Sequence, residues 1–436
     1  MKSPLFPIIG ACCFCTASAA AQADSTAWYS LHGQTTVITQ YKPAFRAAYS
    51  GTNSLKTAQE TQTSLTSTLY LGTKLWKGAS LFVNPEIAGG SGLSQALGIA
   101  DATNGETFRI GDPAPKVYLA RVYYTQIFAL SDEKEFRPGD LNQLQQFVPG
   151  RYLAFTIGKV AIADYFDNNQ YSHDPRTQFL SWGLMSNGAW DYPANTRGYT
   201  PSIVLEYVTP QHEWRYALSL LPQTANGNTM NWELGHASAQ TLEYTHHHSI
   251  DGRQGALRLL AFYNTADMGN YRQSLALQPV NPDISATRAY GNSKYGFALN
   301  AEQELGRDIG CLLRASWNDG HHETWAFTEI DHSASAGVSV SGSRWKREED
   351  HAGLAFVISG ISADHRAYLA AGGTGFMLGD GRLRYGTEQL AETYYQAALT
   401  PNLFVTGAYQ LLHHPGYNKD RQGPVNIFSI RVHTRI

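Results

Sequence analysis

A histidine triplet, His246-His247-His248, is the run of residues that most directly suggests metal chemistry. Imidazole nitrogens bind zinc and other transition metals, but a site needs several ligands that converge on one point. The triplet lies in a stretch with strand-like alternation, where adjacent residues point to opposite faces. At most His246 and His248 could converge, so metal binding is the less favoured interpretation.

Two other groups of residues each match only part of a known enzyme or phosphate-binding motif. Glu323 lies beside His321 and His322, but neither an H-E-x-x-H motif nor a G-x-S-x-G motif occurs. The glycine-rich stretch 372–381 could cradle a phosphate, yet no Lys-Ser or Lys-Thr pair follows it, and turns with close loop packing explain it better. We therefore predict no catalytic residue, no cofactor and no metal ion, and we do not expect an enzyme.

The composition indicates which solvent the chain is suited to. Its 436 residues include 33 Lys and Arg against 36 Asp and Glu, so nothing favours a nucleic-acid partner. Charged residues make up only 16%, where soluble domains average about a quarter, and aromatic residues reach 12%. The chain therefore lacks the highly charged surface that usually keeps a soluble domain in water.

The first residues have the pattern of a targeting segment. Lys2 precedes the apolar stretch 5–20, and Ala21-Gln22-Ala23 suits cleavage before Asp24. We predict a signal peptide at residues 1–23 and one domain at residues 24–436. Cys12 follows Ile9-Gly10-Ala11, so a lipoprotein is the less favoured alternative.

Cleavage before Asp24 would remove Cys12, Cys13 and Cys15 and leave Cys311 alone. The sequence then predicts no disulfide framework, no thiol redox motif and no cysteine zinc site.

Beyond Asp24 the dominant pattern is alternation with period two, and no apolar run approaches the ~20 residues of a membrane-spanning helix. In residues 65–76 one face carries mainly leucine and the other threonine, tyrosine and lysine. Residues 295–302, 311–318 and 388–399 also alternate. These stretches predict strands with one apolar and one small or polar face.

The chain end gives the clearest strand. Phe428, Ile430, Val432, Thr434 and Ile436 share one face, and the intervening Ser429, Arg431, His433 and Arg435 share the other. In an outer-membrane barrel such a strand pairs with the first and closes the sheet, which leaves no unpaired backbone in lipid.

Connections between the predicted strands differ strongly in length. Tight turns are indicated at Lys77-Gly78, Pro210-Gln211, Asp251-Gly252, 306–308 and Pro401-Asn402, whereas 89–115, 131–150, 264–293 and 413–424 are long and polar. Short turns on one rim and long loops on the other are typical of a transmembrane β-barrel. The length favours an all-β, antiparallel barrel of about 16 strands; a secreted sandwich, propeller or β-helix is the alternative.

The most specific motifs lie in the middle of the chain. They are Gly158-Lys159, residues 164–171, residues 174–179, Gly188-Ala189-Trp190-Asp191-Tyr192-Pro193 and Arg197-Gly198-Tyr199, with further matches at 317–320, 323–327, 379–386 and 414–425 and an N-terminal piece at 32–51. This pattern resembles the carbohydrate-selective porins of the OprB type over nearly the whole mature chain. The resemblance implies an outer-membrane channel of about 16 strands, in a Gram-negative bacterium, that passes small sugars by diffusion.

A loop in this region could narrow such a channel. Asp174-Pro175 is a helix start and Asn187-Gly188 a helix stop, which predicts a short helix inside a long loop. Loops of porin-like barrels commonly fold into the lumen, so the candidate constriction residues are Asp174, Arg176, Trp190, Asp191 and Arg197, together with Arg314 on the wall. The alternative is that Asp174 and Arg197 only cap helices and hold the loop to the wall.

Wall residues can be assigned from the cost of burying charge in lipid. Arg121, Arg314 and Arg431 lie in strand-like runs, where an arginine on the lipid face would cost about 2–4 kcal/mol at mid-membrane, so we expect them in the lumen. For Arg121 the pattern conflicts with this assignment, because the apolar residues Val117, Leu119 and Tyr123 share its face. Tryptophans 28, 76, 214 and 325 are predicted to lie in interfacial aromatic girdles. Residues 362–372 predict a short loop helix with Ser362 as its N-cap.

The predicted function is passive, carbohydrate-preferring diffusion across the outer membrane, with small carbohydrates and outer-membrane lipid as partners. The alternatives are a general non-selective porin, or an outer-membrane or secreted enzyme or binding protein acting on polysaccharide. A barrel of this size could be a monomer or a homotrimer.

Overall fold

The computed structural model describes residues 26–107 and 114–436. The predicted signal peptide, residues 1–23, and its cleavage site lie outside the described residues. Within the described ranges, no helix combines the length and the apolar character needed to cross a membrane.

Among these residues, sixteen antiparallel strands close into one barrel, as the alternating pattern predicts. Two further strands form a separate hairpin. The strands are β1 (Tyr29–Lys42), β2 (Glu60–Trp76), β3 (Ala79–Gly90), β4 (Lys116–Ala129), β5 (Lys134–Arg137), β6 (Gln146–Pro149), β7 (Tyr152–Val160), β8 (Thr200–Val208), β9 (His212–Leu220), β10 (Ser238–Ile250), β11 (Arg253–Met268), β12 (Ala289–Gly306), β13 (Ile309–Asn318), β14 (His332–Ser341), β15 (His351–Gly360), β16 (Glu388–Thr400), β17 (Leu403–His413) and β18 (Val425–Arg435).

Strand β18 closes the barrel against β1, in a register that runs from Gln34 opposite Arg435 to Tyr41 opposite Phe428. The backbone pairing extends beyond the strands, because Gly33 and Ile436 exchange N–H···O bonds of 3.0 and 2.8 Å. The predicted pairing of the terminal strand with the first is therefore confirmed, and closure removes the free sheet edges.

The two faces of the sheet differ as the sequence predicts. On β18, Ile430 is 62% exposed on the outer face, whereas the neighbouring Arg431 is 1% exposed inside. On β2, Leu69 and Leu71 are exposed outside, and Thr68 is buried inside. The outer surface is therefore apolar and the interior polar, the inverse of a soluble barrel.

A β-bulge settles the face of Arg121. The pairing of β3 with β4 passes from Asn84–Arg121 to Pro85–Leu119 and skips Ala120. Pro85 has no N–H to donate to the ladder, which is why prolines occur at such irregularities. The extra residue puts Leu119 outside and Arg121 inside, although an unbroken strand would place both on one face. The predicted lumen positions of Arg121, Arg314 and Arg431 are confirmed by their burial.

The barrel has two unlike rims. The turn rim carries the short connections 77–78, 209–211, 251–252, 307–308 and 401–402, and the loop rim carries the long connections. The long segments 89–115, 264–293 and 413–424 connect at the loop rim, as predicted. Segment 131–150 does not: it joins β4 to β7 at the turn rim and contains the β5–β6 hairpin. Its length and polarity alone suggested the wrong rim.

The α-helices of the described residues are short and lie in the loops. They are α1 (Trp182–Met185), α2 (Tyr271–Leu277) and α3 (Ala363–Ala370), and several short 3-10 turns accompany them. The predicted helix at α3 is confirmed, with the Ser362 hydroxyl accepting from the His365 amide and Gly372 at φ +95° beyond its end.

The helix predicted between Asp174 and Asn187 is mostly wrong, since only α1 forms there. Residues 174–178 make one separate turn. The amides of Leu180 and Ser181 then donate to the Glu392 carboxylate on the wall, at 2.6 and 2.9 Å, instead of continuing a helix.

The aromatic girdle prediction holds for three of the four tryptophans. Trp28, Trp76 and Trp214 are exposed on the outer surface near the turn rim. Trp325 is buried in the loop 319–331, where its indole N–H donates to the Pro222 carbonyl at 2.7 Å. The girdle prediction is therefore wrong for Trp325, because the sequence did not show that its loop folds inward.

Candidate functional site

A cavity of about 650 Å³ lies inside the barrel at mid-height. The wall strands β2, β3 and β4 form one side, and the loop 161–199, which we call the inner loop, forms another. Its polar and aromatic lining includes Tyr70, Glu86, Glu106, Arg121, Asp140, Asn142, Asp164, Asp174, Arg176, Arg197 and Tyr199.

Arg121 is fixed between the wall and the inner loop. Its guanidinium donates to both carboxylate oxygens of Asp164, at 2.6 and 2.7 Å, and lies 5.1 Å from the ring centre of Tyr199. Asp164 ends a short 3-10 turn whose Ile162 is fully buried. The bidentate contact therefore fixes the planar guanidinium at the cavity surface.

Arg176 projects from the turn at 174–178. The Asp174 carboxylate accepts from the Arg176 amide at 2.9 Å, which shapes this turn. The Arg176 guanidinium donates to Glu106 at 2.9 Å and lies 3.8 Å from Glu86. One arginine thus links the inner loop, the loop 91–115 and the wall.

Arg197 occupies a second turn of the inner loop. The Asn195 side chain accepts from the Arg197 amide at 3.0 Å, and the Gly198 amide donates to the Asn195 carbonyl at 2.9 Å. Gly198 has φ +90°, a conformation that favours glycine. The Arg197 guanidinium lies 4.1 Å from the ring centre of Tyr118 on β4.

Glu86 on β3 organises the aromatic side of the cavity. Its carboxylate accepts from the hydroxyls of Thr68, Tyr118 and Tyr199, with the Tyr199 contacts at 3.0 and 3.2 Å. The two tyrosine rings are thereby fixed beside the arginines. The alternation of Phe82, Asn84 and Glu86 on the inner face of β3 was the signal in the sequence that could have identified this carboxylate.

Arginines and carboxylates pair with each other across the cavity, but acidic side chains outnumber arginines in its lining. Arg121 pairs with Asp164 and Arg176 with Glu106, while Asp174 lies in the same lining. Arg121 still has capacity to donate, since its Nη1 atom has no hydrogen-bond partner among the described residues. The surface presents donors, acceptors and ring faces together.

Three of the six predicted constriction residues line this cavity: Asp174, Arg176 and Arg197. Trp190 and Asp191 lie outside its lining and are buried. The Asp191 carboxylate accepts from the amides of residues 325–327 at 2.8, 2.9 and 3.0 Å, which connects the inner loop to the loop 319–331.

Arg314 is also enclosed by protein. Its guanidinium donates to the Asp167 carboxylate at 3.1 Å and to the carbonyls of Asp167, Ser172 and Leu184 at 3.2, 2.6 and 2.7 Å. It therefore fixes the inner loop to β13. A part in the substrate pathway stays a prediction for Trp190, Asp191 and Arg314.

A second cavity, of about 550 Å³, lies inside the barrel towards the turn rim. Its lining includes Glu304, His351, Gln396 and Arg435 on the wall strands and Asp308 in the turn 307–308. The turn of the inner loop separates the two spaces, because residues 173–176 line the first cavity and Thr177 and Gln178 the second.

The histidine triplet lies on β10, away from both cavities. The rings of His246 and His248 have centres 5.9 Å apart, and His246 stacks on His212 at 5.1 Å. His247 points to the other face and contacts Glu213 at 3.0 Å. In the part of the chain that the structure describes, no cluster of three or more histidine, cysteine or acidic side chains could hold a metal ion.

Comparison with known proteins identifies one family. The family described as carbohydrate-selective porin, OprB family, matches residues 52–435. No curated protein matches the sequence.

Similar solved structures cover nearly the whole barrel. The high-pH structure of Pseudomonas putida OprB has a TM-score of 0.68 at 15% identity, over 94% of both chains. The low-pH structure of that protein has a TM-score of 0.50 at 11% identity, over 94% of this chain and 92% of the other. The outer membrane channel DcaP of Acinetobacter baumannii has a TM-score of 0.51 at 10% identity, over 94% of this chain and 97% of the other. At these identities the likeness is one of fold.

Proposed function

The chain belongs to the OprB family of carbohydrate-selective porins, and from this premise we propose that small neutral sugars cross the Gram-negative outer membrane by diffusing through the mid-barrel cavity. The observation that carries the proposal is the arrangement of Arg121, Arg176 and Arg197 around Tyr118 and Tyr199, inside a closed barrel.

The chemistry of this lining suits carbohydrates. A sugar offers hydroxyl groups that both donate and accept hydrogen bonds, and C–H faces that pack on aromatic rings. Guanidinium groups donate hydrogen bonds from N–H groups that lie in one plane, and the carboxylates of Glu86, Glu106 and Asp174 accept hydrogen bonds. Arg121 and Arg176 are each paired with a carboxylate, and a neutral sugar can bind to this lining through its hydroxyls and C–H faces without carrying a charge.

The predicted residues divide between two roles in this proposal. Asp174, Arg176 and Arg197 contact the passing sugar. Trp190, Asp191 and Arg314 are positioning residues that hold the inner loop in place.

No catalytic step is part of the proposal. Within the cavity lining, the carboxylates of Asp164 and Glu106 accept hydrogen bonds from arginine. Transport needs only a concentration gradient. The signal peptide at residues 1–23 is also proposed, and N-terminal sequencing of the mature protein would test it.

Liposome swelling with the purified full-length porin tests the transport proposal. Neutral mono-, di- and trisaccharides are compared with amino acids and salts of similar size. We expect the sugars to enter faster than their size alone allows. Entry ranked only by size would indicate a general porin and overturn the carbohydrate preference. No entry of any solute would overturn the channel assignment for this protein.

A further inference from the structure

Residues 138–145, which we call the floor segment, enter the barrel from the turn rim and reach the mid-barrel cavity. The segment connects β5 to β6, and its residues Asp140, Leu141 and Asn142 line the same cavity as Arg121 and Arg197. One side of the cavity is therefore built by a connection between wall strands β4 and β7 at the turn rim. The inner loop approaches the cavity from the loop rim.

The floor segment is anchored inside the barrel. Leu144 is 1% exposed and packs in one cluster with Phe82, Tyr123 and Val160 of the wall strands. The Ala27 amide donates to the carbonyl of the adjoining Gln145 at 2.9 Å. Burying a leucine side chain away from water is favourable, so these contacts favour the inserted position.

Its turn is braced by its own hydrogen bonds. The backbones of Asp140 and Gln143 exchange bonds of 3.2 and 3.0 Å, and the Gln143 side chain donates to the Pro138 carbonyl at 2.7 Å. Asn142 has φ +54°, a left-handed conformation that asparagine tolerates better than most residues. The turn therefore presents a defined shape to the cavity.

Asn142 carries an acceptor that no protein group uses. Its Oδ1 atom is buried, and among the described residues it has no hydrogen-bond partner, while the residue lines the cavity. A buried amide oxygen without a partner is unfavourable, and a sugar hydroxyl is a donor of the right kind.

We propose that the floor segment is the turn-rim side of the sugar-selective constriction, and that the Asn142 amide oxygen accepts a hydrogen bond from a hydroxyl of the passing sugar. The inference rests on the proposed function and adds a specificity-determining residue from an element outside the inner loop. The floor segment limits the size of solute that leaves the cavity towards the turn rim. The amide oxygen of Asn142 favours solutes that can donate a hydrogen bond to it.

The hairpin stem allows the floor segment to be removed without opening the barrel. Arg137 and Gln146 are the last paired residues of β5 and β6, so an Asn-Gly pair can replace residues 138–145 and close a two-residue turn. We expect the shortened porin to conduct ions better in planar bilayers, to admit larger sugars in liposome swelling, and to lose part of the sugar preference. Unchanged conductance and an unchanged size limit would overturn the floor role.

A point variant tests Asn142 even if the shortened porin fails to fold. Asn142→Gly keeps the left-handed backbone accessible and removes the acceptor, whereas Asn142→Asp keeps an acceptor oxygen. The measurement is the block of ion current by a neutral trisaccharide, raffinose. We expect Asn142→Gly to lower the apparent affinity for raffinose about two- to tenfold, the size of one neutral hydrogen bond.

The control is Asn402→Gly, in a turn of the same rim and outside both cavity linings. We expect this variant and Asn142→Asp to keep the parent affinity within about twofold. Equal losses in Asn142→Gly and Asn402→Gly, or no loss in Asn142→Gly, would overturn the role of the acceptor. A parent porin without sugar preference would instead overturn the proposed function, and this inference with it.

Discussion

The Arg121 guanidinium on the barrel wall donates two hydrogen bonds, of 2.6 and 2.7 Å, to the Asp164 carboxylate at the start of the inner loop. The bond joins a residue that a β-bulge turns inwards to a loop that fills the lumen. Because a guanidinium is planar and its two donors are fixed, the contact sets the distance and the angle between wall and loop. This pair is therefore one of the contacts that set the width of the cavity, together with the pair of Arg176 and Glu106.

Replacing Arg121 with lysine should loosen this junction. Lysine keeps the charge but cannot form the bidentate contact, and hydrogen bonds to charged groups contribute about 1.5–3 kcal/mol each. We expect Arg121→Lys to increase the fluctuations of the single-channel current. We also expect it to lower the temperature at which heating unfolds the barrel, seen on a gel as the shift from the mobility of the folded form to that of the unfolded form. The matched control is Arg253→Lys, at the turn rim and outside both cavity linings. If the current fluctuations of Arg121→Lys were no larger than those of the parent, the Arg121–Asp164 pair would not hold the inner loop at a fixed distance from the wall.

Arg176 and Arg197 should carry much of the sugar preference. Removing either guanidinium takes a charged donor from the cavity and widens it, since both side chains lie in its lining. We expect Arg176→Ala and Arg197→Ala to admit salts and amino acids more readily and to weaken the block by a trisaccharide about tenfold, the lower bound for a hydrogen bond to a charged group. Liposome swelling and current block measure the two effects.

The control for both substitutions is Arg151→Ala, an exposed arginine outside the cavity lining. This variant should keep the sugar preference and the size limit of the parent. If all three variants behaved alike, the preference would have to come from another part of the channel.

The barrel could be predicted from the sequence because its strands alternate between two solvents. From Phe428 onwards, residues of β18 alternate between an apolar outer face and a polar inner face, so Ile430 and Arg431 are assigned by position alone. Arg121 was harder to assign, because the bulge opposite Pro85 shifts the alternation by one residue. Its face followed from the energetic cost of charge in lipid, and the structure confirms it.

The loops could not be predicted in this way, because their positions depend on contacts between distant segments. Asp191 and Arg176 are both polar residues of one long loop, yet one is buried against the loop 319–331 and the other faces the cavity. Segment 131–150 also has the polarity of an outer loop although it connects at the turn rim. Local composition does not distinguish a loop that covers a barrel from one that fills it.

Asp191 should matter for stability more than for direct contact with sugar. Its carboxylate accepts from three backbone amides of the loop 319–331, and Asp191→Ala would leave these buried donors without partners. Each unsatisfied group costs about 1–3 kcal/mol, so a loss of about 3 kcal/mol or more in unfolding free energy is expected. The measurement is unfolding in denaturant, followed by tryptophan fluorescence.

Two comparisons make the Asp191 result specific. Asp191→Asn retains one acceptor oxygen and should lose less stability than the alanine variant. Asp132→Ala, at an exposed position near the turn rim, should leave the unfolding curve unchanged. A stability loss in Asp191→Ala no larger than in Asp132→Ala would mean that the loop junction is held by other contacts.

Asp350 gives the turn 342–350 a stability that should depend on pH. Burial alone would raise the pKa of Asp350, but donation from Arg347, Tyr395 and the Ala398 amide lowers it to about 2. A carboxylate with a lowered pKa stabilises the folded state above its ordinary pKa of about 3.9, and that stabilisation is lost as the pH falls towards 2. We expect Asp350→Asn to reduce stability by about 1–2 kcal/mol at pH 7, since Arg347 is partly exposed and screened. The difference from the parent should shrink between pH 4 and pH 2, measured as the temperature of the heat-modifiable mobility shift.

The control is Asp251→Asn, in an exposed turn of the same rim, which should have the same stability as the parent at pH 7 and at low pH. If the stability difference between Asp350→Asn and the parent stayed constant between pH 4 and pH 2, the charge of Asp350 would not stabilise the turn.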